Sequence, residues 1–356
     1  MKILITGICG FTGTIMARTL QELDSGVELW GIDNFLRTGS EQNRAPLRAS
    51  GVHLLHGDVR CRSDLDVVPE VQWVIDAAAN PSVLAGMNGA STSRQLMEHN
   101  LIGTVNLLEF AKRTGAGVIL LSTSRVYSIA PLDNLPVSVE NDAYRPQRDS
   151  HGVVGLSSEG VAENFSTTPP VSLYGSTKLA SEFIALEYGG AFGLPVWINR
   201  CGVLAGAGQF GKVDQGIFAF WINSYLRRRP LKYIGFDGQG YQVRDCLHPR
   251  DVAALVWKQM QSPDRQVERV QNVGGGVASA MSLAQVSSWC AARFGKHAVG
   301  REAASRPYDV PWMVLDSGRA KRHWDWQATV RVEQILEEIA QHAEAHPEWL
   351  DISEGI

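Results

Sequence analysis

Cysteines are few in this sequence, and no pattern pairs them. The 356-residue chain contains five, which are scattered along its length without a CxxC pair: Cys9, Cys61, Cys201, Cys246 and Cys290. An odd number of dispersed cysteines argues against a disulfide framework and against a zinc site, and it favours a reducing compartment. We therefore expect neither cross-links nor a bound metal ion.

Long apolar runs and an excess of basic charge are also absent. No uninterrupted apolar stretch is long enough to span a bilayer, and the first residues, MKILITG, lack the pattern of a signal peptide. The formal net charge is −4, with 33 Lys and Arg against 37 Asp and Glu, so no broad basic surface indicates nucleic-acid binding. We expect a soluble cytoplasmic protein that binds neither membranes nor nucleic acid.

Short β-type runs alternate with helical patterns through the first half of the chain. The predicted strands are Ile3–Thr6, Val27–Asp33, His53–His56, Trp73–Ala77, Val118–Ser122 and Val196–Asn199, and the predicted helices are Thr14–Leu23, Asn100–Arg113 and Ser172–Tyr188. Strands separated by helices pair in parallel through right-handed crossovers. The sequence thus predicts an α/β protein with a Rossmann-type doubly wound sheet over residues 1–200, which the chain rejoins near 241–262. A smaller mixed α/β domain over residues 201–356 is interleaved with it.

The segment from Pro131 to Pro170 departs from this alternation. It is rich in proline, serine and charged residues and shows little periodicity. We interpret it as a long irregular excursion before the helix at Ser172. Irregular segments of this length in compact enzymes often carry function.

Three glycines, Gly7, Gly10 and Gly13, separate the first predicted strand from the first helix. Glycine permits a tight turn and lets the backbone approach a pyrophosphate, while the helix N-terminus supplies N–H donors. The spacing is GxxGxxG rather than GxGxxG, and a plain strand-to-helix turn is the alternative interpretation. The N-terminal strand–loop–helix context favours a dinucleotide site.

An acidic residue, Asp33, ends the second predicted strand, about twenty residues beyond the loop, where a carboxylate binds the adenosine ribose hydroxyls. The same carboxylate repels a 2′-phosphate and therefore favours NAD over NADP, although the nearby Arg37 could accept that phosphate. Asp58 follows the third predicted strand, where it either meets the adenine or simply forms a turn.

Tyr174 and Lys178 form a Tyr-x-x-x-Lys pattern, and residues four apart share one face of a helix. A tyrosine alone is a poor base because its reference pKa is about 10. A nearby ammonium group and a positive nicotinamide ring favour the phenolate, which can then accept a hydroxyl proton as hydride leaves. A surface helix pair is the alternative. Thr123 ends the fifth predicted strand and could bridge the tyrosine and a substrate oxygen, with Ser122 and Ser124 as competing candidates.

Together with Asp214-Gln215-Gly216 and Gln242-Val243-Arg244-Asp245, these motifs resemble the extended short-chain dehydrogenase/reductases that act on nucleotide sugars. The resemblance covers nearly the whole chain and is greatest to the CDP-sugar 2-epimerases. It implies NAD-dependent epimerisation of a nucleotide-diphosphate sugar, through a transient keto-sugar and return of the hydride. It also implies a homodimer in which the helices over 100–113 and 172–188 form a four-helix bundle.

The resemblance further implies the residues of the site. Thr123, Tyr174 and Lys178 would be catalytic. NAD would contact Gly7, Gly10, Phe11, Thr12, Gly13, Asp33, Asn34, Asp58, Val59, Ala77, Ala78, Ala79, Asn100, Ser122, Tyr174, Lys178 and Cys201, and the substrate would contact Gln209, Gln215, Arg244 and Arg306. Arg244 would bind the diphosphate, as a guanidinium can bidentately, although an arginine beside an aspartate is more often a salt-bridged surface residue.

Several positions differ from the pattern of the family. Asp76 and Cys201 stand where histidine is common, Ala205 replaces a tyrosine, and the segment from Pro131 to Pro170 borders the expected sugar pocket. These differences leave the identity of the sugar open.

The residue types at a few positions distinguish this function from its alternatives. Sugar dehydration needs an Asp-Glu pair directly after the threonine, and Ser124 and Arg125 stand there instead. UDP-sugar 4-epimerisation uses the same Tyr and Lys and stays open. A non-catalytic NAD-binding regulator is a further alternative, which the presence of both Tyr174 and Lys178 disfavours.

Overall fold

The computed structural model describes residues 1–87, 89, 91–147, 152–304 and 306–354. Its strands are β1 Lys2–Thr6, β2 Glu28–Asp33, β3 His53–His56, β4 Trp73–Asp76, β5 Gly117–Thr123, β6 Val137–Glu140, β7 Ala143–Pro146, β8 Leu156–Ser157, β9 Gly160–Val161, β10 Val196–Cys201, β11 Val203–Leu204, β12 Leu231–Ile234, β13 Val243–Leu247, β14 Val270–Val273, β15 Ala280–Ser282, β16 Val299–Glu302 and β17 Trp312–Met313. Its helices are α1 Phe11–Leu23, α2 Arg44–Ala49, α3 Arg62–Asp66, α4 Ser93–Met97, α5 Gly103–Thr114, α6 Ile129–Asp133, α7 Ser172–Phe192, α8 Ile217–Leu226, α9 Pro249–Met260, α10 Leu283–Phe294, α11 Gly318–Trp324, α12 Val332–Ala345 and α13 Trp349–Glu354, with a π-turn, Glu98–Ile102, joining α4 to α5.

Seven parallel strands form the central sheet in the order β3-β2-β1-β4-β5-β10-β14. The strand order reverses between β1 and β4, and such a switch point opens a crevice at the carboxyl ends of the strands. The predicted α/β class and Rossmann-type sheet are confirmed. The sequence did not predict β14, because its buried polar residues Gln271 and Asn272 interrupt the apolar run that marks the other strands.

Successive strand residues are buried on opposite faces of the sheet. Ile3 and Ile5 pack in the layer formed by α1 and α9, whereas Leu4 packs in the layer formed by α5 and α7. Burial on both faces explains why these strands are continuously apolar rather than alternating.

A smaller mixed layer follows β10. Strands β11, β13, β15 and β17 form its sheet, and α8, α10 and α12 enclose a separate apolar core with it. We call the seven-stranded sheet with its flanking helices the first layer. The chain then rejoins this first layer, where α9 packs on α1 and β14 pairs with β10. Within the described part of the chain, no helix is long and apolar enough to cross a membrane.

The excursion between Pro131 and Pro170 is more regular than the sequence predicts. It contains two antiparallel hairpins, β6–β7 and β8–β9, while residues 148–151 lie outside the described part. Leu156 and Val161 pack with Trp312 in an apolar cluster against β13 and β17. The expectation of an irregular segment is wrong for these hairpins, because their stabilising partners lie about 150 residues further along the chain and the local sequence does not show them.

Candidate active site

One deep cavity lies at the carboxyl ends of the parallel strands and extends into the loops of the smaller layer. Its volume is about 930 Å³. Every residue that the sequence assigns to the site lines it, except Asp58 and Asn100. Residues far apart in the sequence, such as Gly7 and Arg306, thus line one cavity.

Asp58 and Asn100 lie one layer behind the cavity wall. Burial alone would raise the pKa of Asp58, but hydrogen bonds from Arg60 and Asn34 outweigh it and lower that pKa to about 2. Asn100 is buried, accepts a hydrogen bond from the backbone N–H of Asn80 at 2.8 Å and donates to its carbonyl at 3.0 Å. Each therefore holds a cavity-lining residue, Asn34 or Asn80, and the direct NAD contacts assigned to them stay predictions.

The glycine loop leaves no room for side chains. Gly7 has φ +61°, and a Cβ atom on it would lie 2.9 Å from Ala78 Cα. A Cβ on Gly13 would lie 2.5 Å from the Gly7 carbonyl oxygen and 2.6 Å from Ile8 Cα. Gly10 precedes α1, whose first N–H groups have no side-chain cap. This narrow backbone cradle with free donors fits a dinucleotide pyrophosphate.

We expect Gly13→Ala to weaken NAD binding about tenfold or more, because overpacking of this kind costs about 1–3 kcal/mol. The added methyl would push Gly7 and Ile8 into the cradle. Calorimetric titration of the purified protein with NAD measures the effect. Gly190→Ala in α7, where the new Cβ meets open space, is the matched control. Equal NAD affinity in both variants would contradict the role of the loop.

Asp33 anchors the loop from the second strand. Its carboxylate accepts hydrogen bonds from the backbone N–H groups of Cys9 and Phe35, both at 2.8 Å. Burial raises the pKa of Asp33, and these two donors oppose the rise. The carboxylate also lines the cavity, where it is placed to meet ribose hydroxyls.

Arg37, the residue that could have accepted a 2′-phosphate, is already engaged. Its guanidinium donates to Gln215 Oε1 at 2.7 Å and to the carbonyl of Phe210. Arg37 thus ties the segment after β2 to the substrate-side loop. The contact also occupies the side-chain amide oxygen of Gln215, one of the residues assigned to the substrate.

The three residues assigned to catalysis meet in the inner part of the cavity. Thr123 ends β5, and Tyr174 and Lys178 lie in α7. Burial raises the pKa of Tyr174 to about 12, and the Thr123 side chain and the positive charge of Arg125 oppose the rise. Burial lowers the pKa of Lys178, which lies one helical turn from Tyr174, and the carboxylates of Asp76 and Glu182 oppose that shift. That Lys178 lowers the pKa of Tyr174 stays a prediction.

Lys178 is a buried cation without a close protein acceptor. Its exposed fraction is 2%, and burial lowers its pKa. No described residue accepts a hydrogen bond from its ammonium group. A buried donor facing the cavity in this way fits a ribose hydroxyl of the cofactor, since buried donors need acceptors.

The unusual Asp76 has a structural role in this wall. Its carboxylate accepts hydrogen bonds from Thr6 Oγ1 at 3.0 Å and from Thr104 Oγ1 at 2.7 Å. Thr6 Oγ1 in turn accepts from the backbone N–H groups of Ala77 and Ala78. The buried carboxylate therefore fixes the end of β4 and the alanine turn that faces the cavity.

Of two further departures from the family pattern, one lies in the cavity wall and the other in an apolar core. Cys201 lines the cavity, and burial raises the pKa of its thiol to about 12, so it stays neutral. Ala205 is fully buried in the core of the smaller layer. Cys201 therefore contributes a neutral thiol beside Tyr174, and Ala205 adds no phenol to the cavity lining.

Three arginines line the substrate side of the cavity: Arg125, Arg244 and Arg306. Arg244 donates to Asp309 at 2.6 Å, so it is salt-bridged as the alternative predicted, but inside the cavity and not to the adjacent Asp245. Burial lowers the pKa of Arg244, which nevertheless stays protonated. Several guanidinium groups that line one side of a cavity in this way can donate hydrogen bonds to phosphate oxygens.

The substrate-side loop also contains Gln209. Its amide nitrogen donates to the Leu204 carbonyl at 2.7 Å, while its Oε1 is buried without a partner among the described residues. An unpartnered buried acceptor fits a donor on a bound molecule.

A buried ionic network behind the catalytic residues was not predicted. Glu182 accepts three hydrogen bonds from Arg200, one of them at 2.6 Å from Nη2, and another from the Ser122 hydroxyl. The hydroxyl of Ser122, a rival candidate to Thr123, therefore points at Glu182. The sequence carried a signal for this network, because Glu182 follows Lys178 by one helical turn and Arg200 directly follows the predicted strand Val196–Asn199.

The glycine cradle, the buried Tyr and Lys, and the strand-end carboxylate define a nicotinamide-dependent enzyme of the short-chain type. Residues 3–274 match the model of the NAD dependent epimerase/dehydratase family, and the chain belongs to this family. The predicted family, its NAD dependence and the enzyme class are confirmed. In the part of the chain that the structure describes, no cluster of three or more His, Cys, Asp or Glu is placed to hold a metal ion.

Relatives with several substrates resemble the chain. It is 28% identical to CDP-paratose 2-epimerase of Salmonella typhi over 80% of this chain and 82% of that protein. It is 25% identical to UDP-glucose 4-epimerase of Corynebacterium glutamicum over 92% and 90%. The structure of UDP-glucuronic acid 4-epimerase from Bacillus cereus, in complex with UDP-glucuronic acid and NAD, superposes with a TM-score of 0.80 at 24% identity, covering 97% and 99%.

Proposed function

We propose that the protein epimerises a nucleotide-diphosphate sugar by transient oxidation to a keto-sugar. The observation that carries this proposal is the cavity itself, whose lining includes the buried Tyr174 and Lys178, the glycine cradle and several arginines. NAD, when bound, supplies a reversible hydride acceptor. The assigned contacts, from Gly7 on the cofactor side to Arg306 on the substrate side, are part of the proposal.

Each residue has a separate role that follows from its position in the cavity. Tyr174 accepts the proton of the sugar hydroxyl as the carbon that bears this hydroxyl is oxidised. It returns the proton after the keto-sugar has rotated to present its other face. Thr123 hydrogen-bonds the same oxygen, and Lys178 holds the nicotinamide ribose. Arg244 and Arg306 bind the diphosphate and leave the sugar free to present either face.

Epimerisation is favoured over dehydration by the residues after Thr123. Dehydration requires a proton donor for the departing hydroxyl, and Ser124 and Arg125 occupy that place. A serine and an arginine are both too weak as acids near neutral pH. Reversible hydride transfer needs neither.

The specific reaction that we propose is C2 epimerisation of a CDP-sugar of the paratose type. The similarity to CDP-paratose 2-epimerase supports it. UDP-sugar 4-epimerisation is the second candidate, since UDP-glucose 4-epimerase is similar over 92% of this chain. The two reactions use the same Tyr and Lys and differ in the carbon presented to the cofactor.

Isotopic substitution separates these candidates. We expect deuterium at C2 of CDP-paratose to slow turnover and deuterium at C4 to leave it unchanged, because only the bond that loses hydride is broken. Parallel assays with UDP-glucose labelled at C2 or C4 test the second candidate, and the unlabelled sugars are the controls. Slowing by C4 deuterium alone would contradict C2 epimerisation.

We also propose a homodimer through α5 and α7. Ile102, Phe183 and Phe192, which lie along or next to these helices, are 45%, 60% and 50% exposed in the single chain. Large apolar side chains that are exposed on the single chain support burial against a second copy.

A further inference from the structure

The loop that precedes α8 reaches from the smaller layer to the first layer. We call residues 209–216 the bridge loop, and most of them line the cavity. The loop is anchored at its start, where Trp349 of α13 donates to the carbonyl of Gln209 at 2.9 Å, and its end leads directly into α8. Its tip is a tight turn, in which the backbone N–H of Lys212 donates to the carbonyl of Gln215 at 2.6 Å. The bridge loop therefore has a defined shape and fixed ends.

Two side-chain hydrogen bonds join the tip of the bridge loop to the first layer. Arg37, in the segment after β2, donates to Gln215 Oε1 at 2.7 Å. Ser82, in the segment after β4, donates to Asp214 Oδ2 at 2.6 Å. Each bond joins a charged group to a neutral polar group, and such hydrogen bonds are stronger than those between neutral groups. Two different segments of the first layer thus hold one turn of the bridge loop.

These two segments flank the glycine loop. Strand β1 lies between β2 and β4 in the sheet, so the segments after β2 and β4 leave the sheet on either side of the loop after β1. A dinucleotide that is held by Asp33 at the end of β2 and reacts beside Thr123 at the end of β5 has to cross the end of β1, where the cradle for its pyrophosphate lies. The bridge loop is bonded to the first layer on both sides of this crossing.

We propose that the bridge loop is a gate for NAD, which Arg37 and Ser82 hold shut across the cradle. Both side chains are positioning residues, because they act through the loop and need not touch the cofactor. NAD then enters or leaves the cavity only when the two hydrogen bonds are broken. The inference rests on the proposed function for its consequence: hydride that leaves the sugar has to return to the same molecule, and the shut gate holds the reduced cofactor in place until it does.

Opening the gate should speed the exchange of NAD in both directions. Loss of a direct contact with a ligand acts mainly on the dissociation rate, whereas a gate controls entry as well as exit. A hydrogen bond to a charged group shifts an equilibrium by about tenfold or more. We therefore expect the double variant Arg37→Met/Ser82→Ala to release and to bind NAD about tenfold faster, with little change in affinity. Each single variant keeps one of the two bonds and should show a smaller change.

The test follows NAD on the full chain. Protein loaded with radiolabelled NAD is mixed with an excess of unlabelled NAD to measure release, stopped-flow tryptophan fluorescence measures association, and calorimetry gives the affinity. Arg113→Met and Ser63→Ala are the matched controls, because each removes an exposed hydrogen bond to an aspartate outside the cavity. Both controls should exchange NAD at the wild-type rates.

Two results would overturn the gate. One is an unchanged rate of NAD release in the double variant. The other is faster release with unchanged association and a Kd raised by the same factor, since that pattern identifies direct ligands of NAD. If the double variant does not fold, Asp214→Asn replaces it: the amide keeps an acceptor for Ser82 without the charge, so both rates should still rise, by less than tenfold.

Exchange is measured without sugar, which separates the gate from the proposed function. Faster release and faster binding in the double variant support the gate even in a protein that epimerises no nucleotide sugar, and that lack of turnover contradicts the proposed function alone. Wild-type exchange rates in the double variant of an active epimerase contradict the gate alone. In an active epimerase with an open gate, we further expect turnover to depend on added NAD more strongly than in the wild type.

Discussion

Replacing Tyr174 with phenylalanine should lower kcat by about 10²- to 10⁴-fold, the range typical of a lost general base. The ring would still fill the same buried space, so the cradle and the arginines should bind NAD and substrate as before. KM is therefore expected to change little. Steady-state kinetics on the preferred nucleotide sugar, with NAD affinity measured separately, give both quantities.

Tyr188→Phe is the matched control for this variant. Tyr188 lies on the same helix, and its hydroxyl donates to Glu109 outside the cavity. We expect this change to leave kcat unaltered. Comparable kcat in Tyr174→Phe and Tyr188→Phe would remove Tyr174 from the mechanism.

Replacing Arg200 with methionine should destabilise the fold by about 3–5 kcal/mol, because it leaves Glu182 buried without its counter-charge. The side chains of Arg200 and Glu182 are 9% and 2% exposed and 2.6 Å apart at their closest atoms. Arg200 also donates to Tyr127 Oη at 3.3 Å, so the loss extends to the wall behind Tyr174. Urea denaturation followed by circular dichroism measures the free energy of unfolding.

An exposed ion pair supplies the comparison for Arg200. Arg113 and Asp66 are 55% and 61% exposed, so Arg113→Met should cost at most about 1 kcal/mol. Adding Glu182→Gln to Arg200→Met should recover much of the lost stability, since glutamine keeps an acceptor for Ser122 and carries no charge. A cost for Arg200→Met as small as that for Arg113→Met would show that the buried pair is not needed.

The first layer and the cofactor side of the site could be predicted from the sequence because their signals are local. Apolar runs of strand length bracket the glycine loop, and Asp33 follows the second of them. Sterics at Gly7 and Gly13 then require the residue types that the motif shows. Strand β14 gave no such signal, since it contains the polar residue Asn272. The side chain of Asn272 is buried and donates a hydrogen bond to the carbonyl of the distant Val161.

The electrostatics of the site could not be predicted in the same way. The partner of Arg37 is Gln215, 178 residues away, and no local pattern separates that contact from binding of a 2′-phosphate. The motif spacing places Tyr174 and Lys178 on one face of a helix, but only the tertiary structure shows which charges reach the phenol. Charges act through space, whereas sequence patterns report neighbours along the chain.

The return of the chain to the first layer has a consequence for synthesis on the ribosome. The first layer, which carries the cofactor side of the site and is here called the cofactor layer, is complete only when α9 covers α1 and β14 pairs with the edge of β10. Both elements follow much of the smaller layer in the sequence. Until about residue 273 has emerged, the nascent cofactor layer exposes an apolar helix face and an unpaired strand edge, which are features that promote aggregation. The order of translation therefore makes the two layers fold together, and a fragment that stops after β10 would lack a finished cofactor-binding layer.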